Sequence, residues 1–187
     1  MIGETVSMRR RGLVSEGGVP ATLLGTPVGV GDPAPAFALD RFAMPEGLVR
    51  VTLDDTPALP RLFSVVPSLD TPVCSEQTVR FARELARFGE RVAAYTVSVD
   101  TPYAMNRFNE CSGTDVLAPL SDYRPERSFG RAYGVLIEEH GELARALFVV
   151  DRDGVIAHCE ITPDTWDHPD YAAALAALDR LVASAGG

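Results

Sequence analysis

Lysine is absent from this 187-residue chain. All 17 basic residues are arginine, set against 26 acidic ones, for a net charge of −9 at neutral pH. A phosphate backbone asks for clustered positive charge, so this balance argues against nucleic-acid binding. Long apolar runs are missing as well: none approaches the ~20 residues that cross a bilayer, and no membrane association is expected. Arg9-Arg10-Arg11 is followed by Gly12-Leu13-Val14-Ser15-Glu16-Gly17-Gly18, which supplies no apolar stretch, so the arginines read as a solvated hairpin end rather than an export signal. Three cysteines are too few for a disulfide scaffold, which makes a reducing cytoplasm the default location. Histidine is equally scarce. His140, His158 and His168 show no metal-ligand spacing and no Cys-x-x-Cys companion, so neither a metal nor a cofactor is expected. The acidic residues, though numerous, form no pair at positions that specify hydrolysis.

The length suits one domain, residues 1–187, with a single large core. Residues 1–30 are rich in Gly, Thr and Val, with turn signals at Gly17-Gly18 and Leu24-Gly25-Thr26-Pro27, and predict a strand or hairpin extension. Residues 48–53 alternate like an edge strand, whereas 62–66 are continuously apolar, as a central strand covered on both faces should be. Residues 75–88 predict a helix with Phe81, Leu85 and Phe88 on one face and Arg80, Arg83, Glu84 and Arg87 on the wetter side. A buried strand over 92–99 comes next. Thr101-Pro102 then supplies an N-cap and a first helical residue for a helix stopping near Gly113. A short strand (116–120), a short helix (128–133), a hairpin (146–150 and 155–161 about Asp151-Arg152-Asp153-Gly154) and a final helix (169–185) complete the chain. This order predicts an α/β fold of thioredoxin-like type: a central mixed sheet flanked by helices, with an N-terminal β-hairpin.

The chemistry is concentrated between Val65 and Thr78. An apolar strand runs into Pro67-Ser68-Leu69-Asp70-Thr71-Pro72-Val73, and then Cys74 arrives in the first turn of a helix. There a sulfur meets unpaired backbone N–H groups and the positive end of the helix dipole, and both favour the thiolate, the nucleophilic form. Position 77 is glutamine, which excludes the Cys-x-x-Cys of a disulfide oxidoreductase. Thr71, one helical turn earlier, can bring its hydroxyl to the sulfur or to a bound oxygen, can cap the helix, or can do both. Pro67 fixes the backbone and offers no donor, so it would screen the sulfur from water; ending the strand is its simpler role. Alternation over 155–161 puts Cys159 on one face with Val155, Ala157 and Ile161, opposite His158 and Glu160, as a core cysteine without a catalytic role.

Pro67-x-x-x-Thr71-x-x-Cys74 matches the Pro-x-x-x-Thr/Ser-x-x-Cys signature of the peroxiredoxins, and the full Pro-Ser-Leu-Asp-Thr-Pro-Val-Cys run resembles their thiol peroxidase subfamily. The resemblance continues through Gly31-Asp32-Pro33-Ala34-Pro35-Ala36-Phe37, Ser98-Val99-Asp100-Thr101-Pro102, Arg107-Phe108, Ala132-Tyr133-Gly134-Val135 and Leu143-Ala144-Arg145-Ala146. It spans residues 20–185 in the family's order and sets 9–18 apart as an insertion.

The resemblance implies that Cys74 attacks a peroxide, with Thr71, Pro67 and Arg145 forming its site. Arg145 also opens an otherwise apolar strand, where a buried cation needs a partner such as a thiolate; the other arginines read as surface charges. In the family a resolving cysteine follows the Arg-Phe pair directly. Here Asn109 holds that place and Cys111 comes two residues later, a rotation of about 200° on a continuing helix. Cys111 shares a stripe with Ala104 and Phe108, so a small core residue is its bland reading. Resolution of Cys74 by Cys111 is the reading favoured, through unwinding of a helix end that Gly113 makes easy to loosen and that alanine at 113 would stiffen. The resemblance further implies hydrogen peroxide and alkyl hydroperoxides as substrates, thioredoxin as reductant, and a homodimer. Two alternatives stay open: a one-cysteine peroxidase reduced directly by an external thiol, with Cys111 structural, and a peroxide sensor that oxidises once and signals through a partner.

Overall fold

The computed structural model describes residues 8–184. The first residues of the expected N-terminal extension, and Ala185 at the end of the expected last helix, lie outside the described residues. The central layer is a seven-stranded mixed sheet in the order β10-β9-β5-β6-β7-β3-β4, where β3 is Ala38–Ala43, β4 Gly47–Thr52, β5 Arg61–Val65, β6 Ala93–Ser98, β7 Ala118–Ser121, β9 Ala146–Val150 and β10 Ile156–Ile161. The three middle strands β5, β6 and β7 run parallel, with Leu62 opposite Ala94 and Tyr95 opposite Ala118; the outer strands are antiparallel. Parallel neighbours need crossovers, and α1 (Pro72–Leu85) and α2 (Pro102–Ser112) provide them. The N-terminal hairpin of β1 (Arg9–Glu16) and β2 (Val19–Leu24) forms a second, three-stranded sheet with β8 (Leu136–Ile137).

Apolar side chains explain the layering. On one face Phe81 and Leu85 of α1 meet Leu62, Ala94, Leu147 and Val149 of the sheet and Tyr171, Ala174 and Leu178 of α4 (Tyr171–Ser184). On the other, Phe129 of α3 (Ser128–Ala132) and Tyr133 stack with centroids 4.0 Å apart over Phe37, Phe63 and Phe148, closed by Val14, Ala21 and Leu23 of the hairpin. Removing one such ring, Phe81→Ala, costs about 3–5 kcal/mol on the usual scale for buried aromatics.

Four sequence expectations shift. Strand β3 was not anticipated, because its pattern is broken by Asp40, which is 1% exposed and paired with Arg50 and Arg124. Helix α1 starts at Pro72, three residues early, and gives way at Ala86 to 3-10 turns containing Gly89 at φ 56°. Arg61 is a second buried arginine, 5% exposed and bonded to Thr56 and the Asp151 carbonyl, so it is no surface charge. A bulge between Ile156 and His158 resets the alternation of β10: Cys159 and Ile161 pack on the same core as Ile156, while Ala157 faces the other one.

Candidate active site

Strand β5 ends at Val65, and the loop that follows is held from outside by one carboxylate. Asp100, between β6 and α2, accepts from Ser68 Oγ (2.8 Å), Leu69 N–H (2.7 Å) and Ser98 Oγ (2.8 Å). The loop closes on itself where Thr71 donates both its N–H (3.1 Å) and its hydroxyl (2.9 Å) to the Ser68 carbonyl. Thr71 is the N-cap residue of α1 by position, with φ −107° and ψ 148°, yet its hydroxyl makes no capping bond. Pro72 at the first helical position supplies the preset φ and lacks an N–H that would be unpaired there anyway. The first intrahelical bond runs from Ser75 N–H to the Thr71 carbonyl at 3.1 Å, which leaves the amides of Val73 and Cys74 outside the ladder.

Cys74 is therefore the third residue of α1, fully buried, among Val66, Leu69, Met105 and Phe108. Arg145 reaches it from the chain just before β9. The guanidinium is 1% exposed, and every branch of it is engaged: Nη2 to Cys74 Sγ (3.3 Å) and the Thr165 carbonyl (2.7 Å), Nε to the same carbonyl (2.9 Å), Nη1 to Gln77 Oε1 (2.7 Å). Gln77, fully buried one turn after the cysteine, is locked in turn by its Nε2 donating to Ser64 Oγ at 2.8 Å. The guanidinium meets no carboxylate among these partners, so the sulfur is the one site in this cradle able to carry a compensating negative charge.

The Thr165 carbonyl is positioned by the N-terminal hairpin. Thr165 N–H donates to the Ser15 carbonyl (2.9 Å), and the neighbouring Asp164 carboxylate accepts from Ser15 Oγ (2.6 Å), Gly17 N–H (3.0 Å) and Gly18 N–H (2.8 Å). The Ser15 hydroxyl and these amides hold the Asp164 carboxyl well below the usual carboxylate range. Gly17 lies at φ 58° so close to the Trp166 ring that a Cβ would sit 2.7 Å from it, so glycine is needed for the hairpin tip to seat there. Above the guanidinium opens a cleft of about 520 Å³ whose walls include Pro67, Thr71, Pro72, Val73 and Arg145 on one side and Thr165, Trp166, Glu16 and Glu142 on the other.

The structure thus gathers Cys74, Thr71, Pro67 and Arg145 at one place. It does not bring Cys111 into that cluster. Cys111 is exposed in the last turn of α2, so it is not the small core residue its stripe suggested, while Asn109, in the place where the resemblance expects a cysteine, is 5% exposed and pinned by Leu117 O (2.8 Å) and Thr114 Oγ1 (2.8 Å). Cys159 is half-buried beside the Val28 carbonyl (3.7 Å), and burial pushes its thiol up. Sequence reasoning missed Gln77, Thr165 and Asp100. A polar residue inside the buried stripe of α1 was a visible signal for Gln77; nothing local marks Thr165, whose role depends on a carbonyl delivered by a distant loop.

Residues 29–175 match the Redoxin family. Thiol peroxidase of Halalkalibacterium halodurans is 45% identical over 160 residues, covering 86% of this chain and 93% of that protein. Thiol peroxidase of Bacillus subtilis is 40% identical over 165 residues, covering 88% and 95%. Among solved structures, a peroxiredoxin-like protein from Aquifex aeolicus superposes with a TM-score of 0.81 at 32% identity, covering 94% of this chain and 98% of that one. With the match in sequence, in fold and in the arrangement around Cys74, the chain belongs to the redoxin family, in its thiol peroxidase branch.

Proposed function

We propose that the thiol-dependent peroxidase activity of this branch runs here through Cys74 and reduces hydrogen peroxide and organic hydroperoxides. The observation that carries the reading is the guanidinium Nη2 held 3.3 Å from Sγ, oriented by bonds to Gln77 and the Thr165 carbonyl that leave one Nη1 N–H over. The thiolate attacks the distal peroxide oxygen in line. The O–O bond breaks, the leaving oxygen takes a proton and departs as water or alcohol, and Cys74 becomes a sulfenic acid. Arg145 and the free first-turn amides donate to the oxygens and stabilise the charge that develops on the leaving one. Thr71, whose own proton is committed to Ser68, accepts from the peroxide O–H and so orients it. Pro67, buried beside the cleft, keeps water from the sulfur without offering a donor.

Cys111 thiol then condenses with the sulfenic acid, releasing water and forming a disulfide after the last turn of α2 unwinds. Thioredoxin as reductant and a homodimeric state are supported by the resemblance to thiol peroxidases, and a cytoplasmic location by the scarcity of cysteine. A second reading is favoured by the pinning of Asn109, which opposes that unwinding: an external thiol reduces the sulfenic acid directly. Peroxide consumption under excess reductant tests the reading. Cys74→Ser abolishes it and Cys159→Ser keeps most of it, over many turnovers. Undiminished turnover in Cys74→Ser overturns the mechanism, and a single turnover in the native protein makes it a sensor instead.

A further inference from the structure

The cleft above Arg145 carries a feature that the chemistry at Cys74 does not use. Two of its lining residues are carboxylates, Glu16 at the end of β1 and Glu142 in the turn before Arg145. His140 links them, with Nε2 2.6 Å from Glu16 and Nδ1 3.8 Å from Glu142. In either protonation state of the imidazole this trio keeps a net negative charge. The cation of the cleft, Arg145, does not offset it, because its charge is matched by the Cys74 sulfur it holds at 3.3 Å and its other bonds run to Gln77 and the Thr165 carbonyl, not to either glutamate. Two other guanidiniums touch this turn, Arg9 paired with Glu138 and Arg127 bonded to the carbonyls of Gly141, Asp122 and Arg124, and neither bonds Glu16 or Glu142. Apart from Thr71 and Thr165, the rest of the wall is apolar: Pro67, Pro72, Val73 and the Trp166 ring, which is 70% exposed.

We infer that this acidic rim makes the protein select hydroperoxides by charge, taking uncharged organic hydroperoxides and disfavouring those that carry a carboxylate. The inference rests on the reading of Cys74 as the peroxide-attacking group. An apolar organic group gains by covering Trp166 and the proline walls, whereas a carboxylate on the same group is brought against Glu16 and Glu142 with only partial screening. Glu16 is the last residue of β1, so the N-terminal hairpin, which also seats against Asp164 and Trp166, supplies half of the rim.

The test compares cumene hydroperoxide with its para-carboxylate, in chelator-containing buffer because ligand atoms of Glu16, His140 and Glu142 lie within 4.8 Å of one another and could take up a cation. The readout is the second-order rate of Cys74 oxidation, each rate divided by that of the same hydroperoxide with a free thiol. At low salt the neutral compound is expected to react about fivefold faster, the size of one like-charge repulsion across a partly solvated gap of several ångströms. The preference should shrink toward one in half-molar salt, and in the double variant Glu16→Gln/Glu142→Gln. Equal normalised rates in the native protein at low salt overturn the inference, as does a preference that salt and the double variant both leave intact, since that would be shape rather than charge. Hydrogen peroxide serves as the reference. If it too fails to oxidise Cys74, the underlying reading falls; if it reacts while the charge effect is missing, the rim inference falls alone.

Discussion

Replacing Arg145 by methionine removes a cation from one of the most enclosed sites in the molecule, and its two consequences differ in kind. For folding, the loss orphans two acceptors, the Thr165 carbonyl and Gln77 Oε1. Each costs about 1–3 kcal/mol when left dry. Against this, a buried charge with no carboxylate partner no longer has to be desolvated, which returns part of the loss. The net is a destabilisation of about 2–3 kcal/mol, which a domain of ordinary stability survives. For catalysis, the donor 3.3 Å from Sγ disappears. Deleting one preorganised donor beside developing charge typically slows a reaction by about 10²–10³. Arg145→Lys keeps a charge but lacks the fork that serves three partners at once, and should recover only part of the rate. Trp166, the chain's single tryptophan, lines the cleft and offers a fluorescence signal for stopped-flow oxidation by hydrogen peroxide. An unchanged second-order rate in Arg145→Met protein that is folded by circular dichroism would refute the reasoning and reduce Arg145 to a structural tie.

Two further outcomes follow from particular backbone and side-chain states. Gly113 ends α2 at φ 63° with open space around its missing Cβ, so alanine there pays left-handed strain of about 1 kcal/mol and loosens the helix end instead of stiffening it as the sequence suggested. If Cys111 resolves Cys74 by unwinding that end, Gly113→Ala should form the disulfide about fivefold faster in rapid-quench mass spectrometry; slower formation would contradict this. Burial pushes the Asp122 carboxyl up to about 6, although the amides at the start of α3 and Arg127 oppose the shift. The native state therefore holds that proton up to about pH 6 while the unfolded chain releases it near pH 4, so this residue's contribution to stability falls as pH rises through that window and stays low above it. Asp122→Asn should gain up to about 3 kcal/mol on the native protein between pH 4 and 6.5 in urea melts, with parallel curves as the contrary result.

Much of the site was legible because its geometry is local. Pro67, Thr71 and Cys74 lie within one loop and one helical turn, and a thiol at a helix start is a statement about three consecutive residues. Most of the order of strands and helices was legible for the same reason, being carried by periodicity, although β3 and the two-residue β8 were not. What escaped the sequence is what distant segments deliver. The Thr165 carbonyl matters only because Asp164 clasps the hairpin tip at Gly17 and Gly18. Strand β3 was hidden by Asp40, whose burial makes sense only once Arg50 and Arg124 are beside it. Cys111 was misplaced by its stripe because Asn109, a polar residue, holds the buried position on α2 through bonds to Thr114 and Leu117 that no helical pattern announces.

The central claim is that peroxide oxidises Cys74 itself. Adding one equivalent of hydrogen peroxide in the presence of a sulfenic-acid trap, followed by peptide mass mapping, tests it most directly. The predicted result is a trap adduct on the peptide carrying Cys74, strongly reduced in Arg145→Met and absent from Cys159. Peroxide consumed at the native rate with the Cys74 peptide unmodified would contradict it.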